Sequence, residues 1–283
     1  MRITLRPTAV VAVAALAFAG LAGCSTSSEG AAAKPAANPH AALLAAVKST
    51  TDAGSAGLDG HITVKMGGQT IDMTMTGAMN FDGSAGNIKM DIPSQNVSTE
   101  ELVVNKVLYM KMAIPGMPAS MGNKWFVLDM SKLTKNAAAL KQLGASGLPK
   151  LGDTFSALTS SKGVAKSAGT TTINGKTYTV YSVTVPGSEL QKQLSALSGS
   201  LGSLLSTAAS ALNKATFDVK AYVNSDNQLA REVVHVVVPI QGQTLDETVD
   251  MGLTQIGSKV SVTAPPAADQ VDFSTLLQGL SGS

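Results

Sequence analysis

Two alternating runs set the character of this chain. Ile62, Val64 and Met66 are interleaved with Thr63 and Lys65, and Ile71, Met73, Met75 and Met79 with Asp72, Thr74, Thr76 and Asn80. A period of two gives each strand one apolar and one wet face. Gly67-Gly68 between the runs predicts a tight hairpin. Ile88, Met90 and Ile92 continue the pattern until Pro93 stops it. Glu101 to Val104 and Val107 to Met112 flank Asn105-Lys106 as a second hairpin, and Trp125 to Met130 reads as a further strand. Alternation resumes at Thr171-Thr172 and Lys176 to Val185 about Asn174-Gly175, a strong short hairpin signal. It returns at Phe217 to Val223, Leu229 to Ile240, Thr244 to Thr254 and Lys259 to Thr263, with turns at Asn224 to Asn227 and at Gly242.

Between these runs the period lengthens. His40 to Ala53 places Leu43, Leu44 and Val47 at helical spacing, with Gly54 and Gly57 ending the helix. Leu133 to Leu143 and Leu148 to Leu158 repeat that spacing, separated by Gly144, Gly147 and Pro149. From Glu189 to Leu212, leucines at 190, 194, 197, 201, 204 and 205, then Ala208 and Leu212, recur every three or four residues among serines, alanines and glycines. Gly199 and Gly202 inside that stripe cost about 1 kcal/mol each relative to alanine, which favours a covering helix or lid over a coiled coil. Pro265-Pro266 ends the regular pattern, and Ser274 to Leu280 adds a short helical tail. The order of elements predicts an α+β domain: a strongly curved antiparallel sheet of about ten strands, its concave apolar face covered by helices.

The amino terminus changes the setting. Arg2 and Arg6 precede an apolar run from Ala9 to Ala22 that is too short to serve comfortably as a permanent span. Leu21-Ala22-Gly23-Cys24 then reads as a bacterial lipobox. Residues 1–23 are thus expected to be a lipoprotein signal peptide, and Cys24 the lipid-attachment residue, a thioether to diacylglycerol with further acylation of the new amino terminus. Two or more chains anchor stably where one holds only marginally. Cys24 is the single cysteine, so its acylation leaves no thiol for a disulfide, a thiolate metal site or a nucleophile. Residues 24–39 form a lipidated flexible tether, whose roughly fifteen residues reach on the order of 20 Å as a coil. Residues 40–283 are expected to form a single domain. Loss of Arg2 and Arg6 leaves 19 basic against 19 acidic residues, a balance that steers the chain toward neither nucleic acid nor an anionic surface. Charged residues make up 14% of the chain and apolar ones 44%, which leaves apolar surface to be accounted for.

Three segments carry a family resemblance: Gly122 to Leu133, where a strand bearing Trp125 delivers Asp129 into a helix start; Thr172 to Tyr178, a hairpin; and Val260 to Pro266, a closing strand and its stop. In this order behind a lipobox, they resemble the mycobacterial lipoprotein family typified by LppX and LprG, which shares its fold with the lipoprotein carriers LolA and LolB. The resemblance implies a half-barrel of antiparallel strands. Its concave face, roofed by helices, would form an apolar cavity for the acyl chains of envelope lipids. The leucine-rich stretch at 190–212 and the tail past Pro266 depart from that pattern.

Candidate chemistry is sparse. Ten of the twelve methionines lie between Met66 and Met130. Core filling ranks first as their role, a deformable lining for lipid tails second, and a thioether site for Cu(I) last, since no histidine or cysteine accompanies them in pattern. His40, His61 and His235 read as satisfied or solvated, and Asp246 and Asp250 as the wet face of a strand. No metalloprotease, nucleophile-elbow, phosphate-loop or dinucleotide motif is present, so neither catalysis nor a cofactor or metal is expected. The chain is therefore expected to be a membrane-tethered protein at the outer face of the cytoplasmic membrane, binding acyl chains of lipids or lipoglycans for carriage or presentation. Cavity-wall candidates, assigned by parity and spacing, are Met73, Met75, Leu194, Leu197, Leu201, Leu204 and Val219. The alternative is an anchored interaction or sensor module with a filled core and a protein partner.

Overall fold

The computed structural model describes residues 38–129, 165–188, 215–240 and 243–273. Helix α1 (Pro39–Asp52) opens the described part. The Asn38 side chain accepts from the Ala41 N–H at 3.1 Å and Pro39 occupies the first turn, so the helix starts where its free donors are met. Strands β1 (Ser55–Met66), β2 (Gln69–Asn80), β3 (Ala85–Ile92), β4 (Val97–Val104) and β5 (Val107–Ala113) follow as a meander. A single helical turn α2 (Ala119–Gly122) leads into β6 (Trp125–Asp129). The second group is β7 (Lys166–Ile173), β8 (Lys176–Pro186), β9 (Thr216–Val223), β10 (Leu229–Ile240) and β11 (Gln243–Thr254), and β12 (Gln270–Asp272) comes last.

These twelve strands form one curved, unclosed sheet in the order β12-β6-β5-β4-β3-β2-β1-β11-β10-β9-β8-β7. The two meanders join through β1 and β11, which pair over ten residues from Gly57–Thr254 to Met66–Leu245. Every neighbouring pair is antiparallel except β12 with β6. The hairpin signals hold: Gly67-Gly68 and Asn174-Gly175 both take positive φ at their two central positions, as the twist of a tight hairpin demands. Asn105-Lys106 adopts the same conformation with no glycine, at φ 52° and 66°.

The sheet departs from the sequence expectation in several places. Among the described residues it has twelve strands rather than about ten. β1 begins at Ser55 and runs through Gly57, so that glycine is a strand residue and not a helix stop. An added Cβ there would meet the Thr254 hydroxyl at 2.5 Å, which explains the glycine by close approach. β4 reaches back to Val97 and β7 to Lys166, in stretches too polar to show alternation. Lys259 to Thr263 is no strand. The chain after β11 is tied back to β1, where Ser55 Oγ donates to the Ser258 carbonyl at 2.6 Å. It then reaches the far edge of the sheet, and Lys124 Nζ donates to the Ala268 carbonyl at 2.8 Å just before β12. The segment is a crossing that must span several strands, and a strand pairing would hold it in place too early. The expected helices at 133–143, 148–158, 189–212 and 274–280 lie outside the described residues.

Of the expected covering helices, α1 is the one seen on the sheet among the described residues. Leu43, Ala46 and Val47 pack on Tyr181, Val183, Val219, Ala221, Val223 and Leu229, so α1 covers the β7–β10 half. Thr50 fixes its far end: the Leu229 N–H donates to Thr50 Oγ1 at 2.8 Å, and that hydroxyl donates back to the Ala46 carbonyl at 3.2 Å. Thr50→Val keeps the shape but leaves the buried Leu229 N–H without its acceptor. It is expected to lower stability by about 1 to 3 kcal/mol, read from the denaturant midpoint at unchanged m-value.

Candidate functional site: the inner face of the sheet

The face that α1 covers can be followed across the whole sheet by register. One row runs Val183, Val219, Val234, Val249, Ile62 and Met73, each directly paired with the next. Strand parity continues it through Ile92 to its partner Val97. A second row runs Tyr181, Ala221, Glu232, Met251, Gly60, Met75, Met90, Thr99 and Met112. A third carries Leu58, Gly77, Ile88, Glu101, Met110, Phe126 and Val271. A fourth carries Val185, Phe217, Val236, Glu247, Val64 and Ile71. Val, Ile and Met dominate because only apolar side chains gain free energy on this face.

Of the seven cavity-wall candidates, Met73, Met75 and Val219 are on this face: Met73 and Val219 are buried and Met75 is half-buried. Leu194, Leu197, Leu201 and Leu204 lie outside the described residues, as does Cys24. Met73 joins Ile62, Val64, Ile92, Val249 and Leu245 in one cluster, and Val219 joins α1 in the other. Phe217 and Val234 pack against both, so the two clusters form a continuous apolar layer.

Three carboxylates interrupt it, and the sequence reading singled out none of them as site residues. Glu232, with 2% of its surface exposed, has Ala221 and Met251 as cross-strand neighbours. Among the described residues neither of its carboxylate oxygens has a hydrogen-bond partner, and burial pushes its pKa from 4.5 up to about 8. Burial also raises Glu101 and Glu247, which sit on the same face further along. No lysine or arginine of the twelve strands shares this face: Lys65, Lys89, Lys111, Lys220 and Arg231 occupy the opposite parity. Glu232 was legible in principle, since it shares even parity with Val234, Val236 and Val238. Val233 and Val237 on the odd positions hid that alternation.

The outer face holds the remaining charges of the described strands. The Arg231 guanidinium donates through Nε to Asp250 at 2.7 Å and also pairs with it through Nη2. It lies 5.6 Å from the Tyr222 ring, which meets Tyr178 edge-on. His61 faces Asp72 at 3.4 Å and His235 faces Asp246 at 3.2 Å, both on this wet side. Among the described residues, no three His, Cys, Asp or Glu side chains come together as a metal cluster, and no helix is long and apolar enough to cross a membrane.

The fold and this face define a curved-sheet protein with an apolar inner surface. No protein-family model matches the chain, and no curated protein does. Among solved structures it is similar to LprF from Mycobacterium bovis at 17% identity, over 80% of this chain and 96% of that one, with a TM-score of 0.43. It is similar to the Mycobacterium tuberculosis lipoprotein LppX at 14% identity, over 79% and 99%, with a TM-score of 0.40. A LolA superfamily protein from Nitrosomonas europaea follows at 9% identity, over 82% and 97%, with a TM-score of 0.25.

Proposed function

We propose that this chain is a cell-envelope lipoprotein that holds acyl chains of lipids on the inner face of its sheet, without chemistry on them. The observation that carries the reading is the apolar row from Val183 to Val97. It crosses eight strands, about 30 Å along the sheet at the usual strand spacing. One leaflet's worth of acyl chain is about 15 Å. Each methylene buried there contributes about 0.8 kcal/mol, and the methionines at 73, 75, 90, 110 and 112 on this face give a wall that can adapt to chains of different shape. The leucine stripe of Leu194, Leu197, Leu201 and Leu204 is proposed as the opposing wall on its helical spacing alone.

In this reading residues 1–23 are removed, Cys24 carries diacylglycerol, residues 24–39 tether the domain and 40–283 form it, at the outer face of the cytoplasmic membrane. Mass spectrometry of the chain from its host membrane is expected to show a peptide beginning at an acylated Cys24, and Cys24→Ala abolishes that species. A chain with residues 1–23 intact and a free thiol contradicts the anchor. Native mass spectrometry after incubation with envelope lipid extract is expected to show bound lipid; recovery of none contradicts the binding role.

The sensor alternative, with a filled core and a protein read by the outer surface, draws on the α1 packing of the β7–β10 half and on the outer cluster of Tyr178, Tyr222 and Arg231, residue types favoured at interfaces. In-cell crosslinking to one stoichiometric protein, with no lipid bound, selects it.

A further inference from the structure

Glu232 is the one residue whose buried side-chain oxygens are left without a partner among the described residues. Such a group costs free energy unless something completes it, so its retention on an apolar face calls for an occupant. The surroundings make a water molecule a poor one, because a buried water needs two to four polar partners. The cross-strand neighbours Ala221 and Met251 offer none, and neither do Leu229 and Val234 on the same strand. The other polar side chain nearby in this row, Tyr181, stands two strands away beyond Ala221. The Met251 side chain leans over Gly60, where an added Cβ would come within 2.6 Å of its methyl carbon. The carboxyl is thus flanked by the short Ala221 and by a methionine turned toward β1. The face carries no lysine or arginine on its strands, so it offers nothing to an anionic headgroup.

We propose that Glu232 is the polar contact of the acyl-chain site, hydrogen-bonding an uncharged oxygen function of the bound lipid, a hydroxyl or an ester carbonyl, set against the hydrocarbon wall. This rests on the acyl-chain reading above and adds a selectivity to it. The carboxyl, held protonated at neutral pH by its burial, donates to either oxygen and also accepts from a hydroxyl. The site discriminates against hydrocarbon lacking such an oxygen, because binding that ligand leaves the carboxyl unpaired.

The test uses the full chain carrying Cys24→Ala, with octadecane and octadecan-1-ol as probes competing for one fluorescent acyl ligand. The expected result is a preference of roughly fivefold to tenfold for the alcohol, the worth of one buried hydrogen bond. Glu232→Met brings the two affinities together, and Glu232→Gln restores most of the difference. A Glu232→Met chain that binds with the full preference overturns the role of Glu232 while leaving the acyl-chain site standing. Failure of the parent chain to bind either probe overturns the site itself, and the selectivity with it. A second measurement needs no variant: the infrared C=O band of the protonated carboxyl shifts when octadecan-1-ol binds and not when octadecane does. An unshifted band with the alcohol bound overturns the proposal.

Discussion

Glu232→Gln is expected to make the protein more stable above neutral pH and to remove most of the pH dependence of its unfolding. In the folded chain the Glu232 carboxyl keeps its proton to about pH 8, because ionisation there is opposed by burial, whereas the unfolded chain releases it near the ordinary 4.5. Between those values the folded state binds more protons than the unfolded one, so stability falls as pH rises. It is fully present below about pH 4.5 and is lost progressively up to about pH 8, by roughly 5 kcal/mol at most. Glutamine has no proton to release, so the variant and the parent converge near pH 4.5 and separate steadily toward pH 8. Glu101 and Glu247 are raised in the same direction and leave a residual slope of the same sign. Urea midpoints across that range check the expectation. A parent whose stability is flat, or rises, with pH would show that Glu232 is solvated or paired.

Gly77→Ala is expected to cost about 3 kcal/mol, more than most exposed substitutions in the molecule. Its added Cβ would land on the Asn87 carbonyl oxygen, with the Asn87 carbonyl carbon and Ile88 Cα next nearest at 3.0 Å. All three are backbone of β3, so relief requires the paired strands to separate. The Asn87 side chain also accepts from the Ala78 N–H at 3.1 Å, a contact that separation would strain. Gly57→Ala makes the instructive contrast, because its nearest obstacle is the Thr254 hydroxyl, a side-chain atom that can rotate. Its expected cost is clearly smaller. Equal denaturant midpoints for the two variants would contradict the close β2–β3 approach.

Strands with one wet and one greasy face were readable wherever alternation was clean, as in the Ile71 to Met79 run, and β10 runs from Leu229 to Ile240 as the pattern predicted. The period fails where function or topology competes with it. β4 reads Val-Ser-Thr-Glu-Glu-Leu-Val-Val, half-buried throughout, and offers no parity to count. Lys259 to Thr263 alternates well, yet it belongs to the crossing between the β11 end and the far edge, a long-range demand that a local window does not register. Met73, Met75 and Val219 were placed on the inner face by parity alone, since strand geometry fixes which way a side chain points. Glu232 was missed for the same reason reversed: Val233 and Val237 among the outward residues of β10 hide one acid among valines. The expectation of lipid attachment at Cys24 rests on a local signal, whereas any ligand selectivity depends on which side chains four distant strands bring into one row.

The central claim is that acyl chains lie on the inner face. A fatty-acyl phospholipid carrying a diazirine near the chain terminus, photolysed with the protein and mapped by peptide mass spectrometry, tests it most directly. Adducts are expected to concentrate on inner-face positions such as Met73, Met75, Met90 and Val249, with sparse labelling of the outward positions Asp72, Thr74 and Thr248. Labelling confined to the outer face, or absent while the protein remains folded, would contradict it.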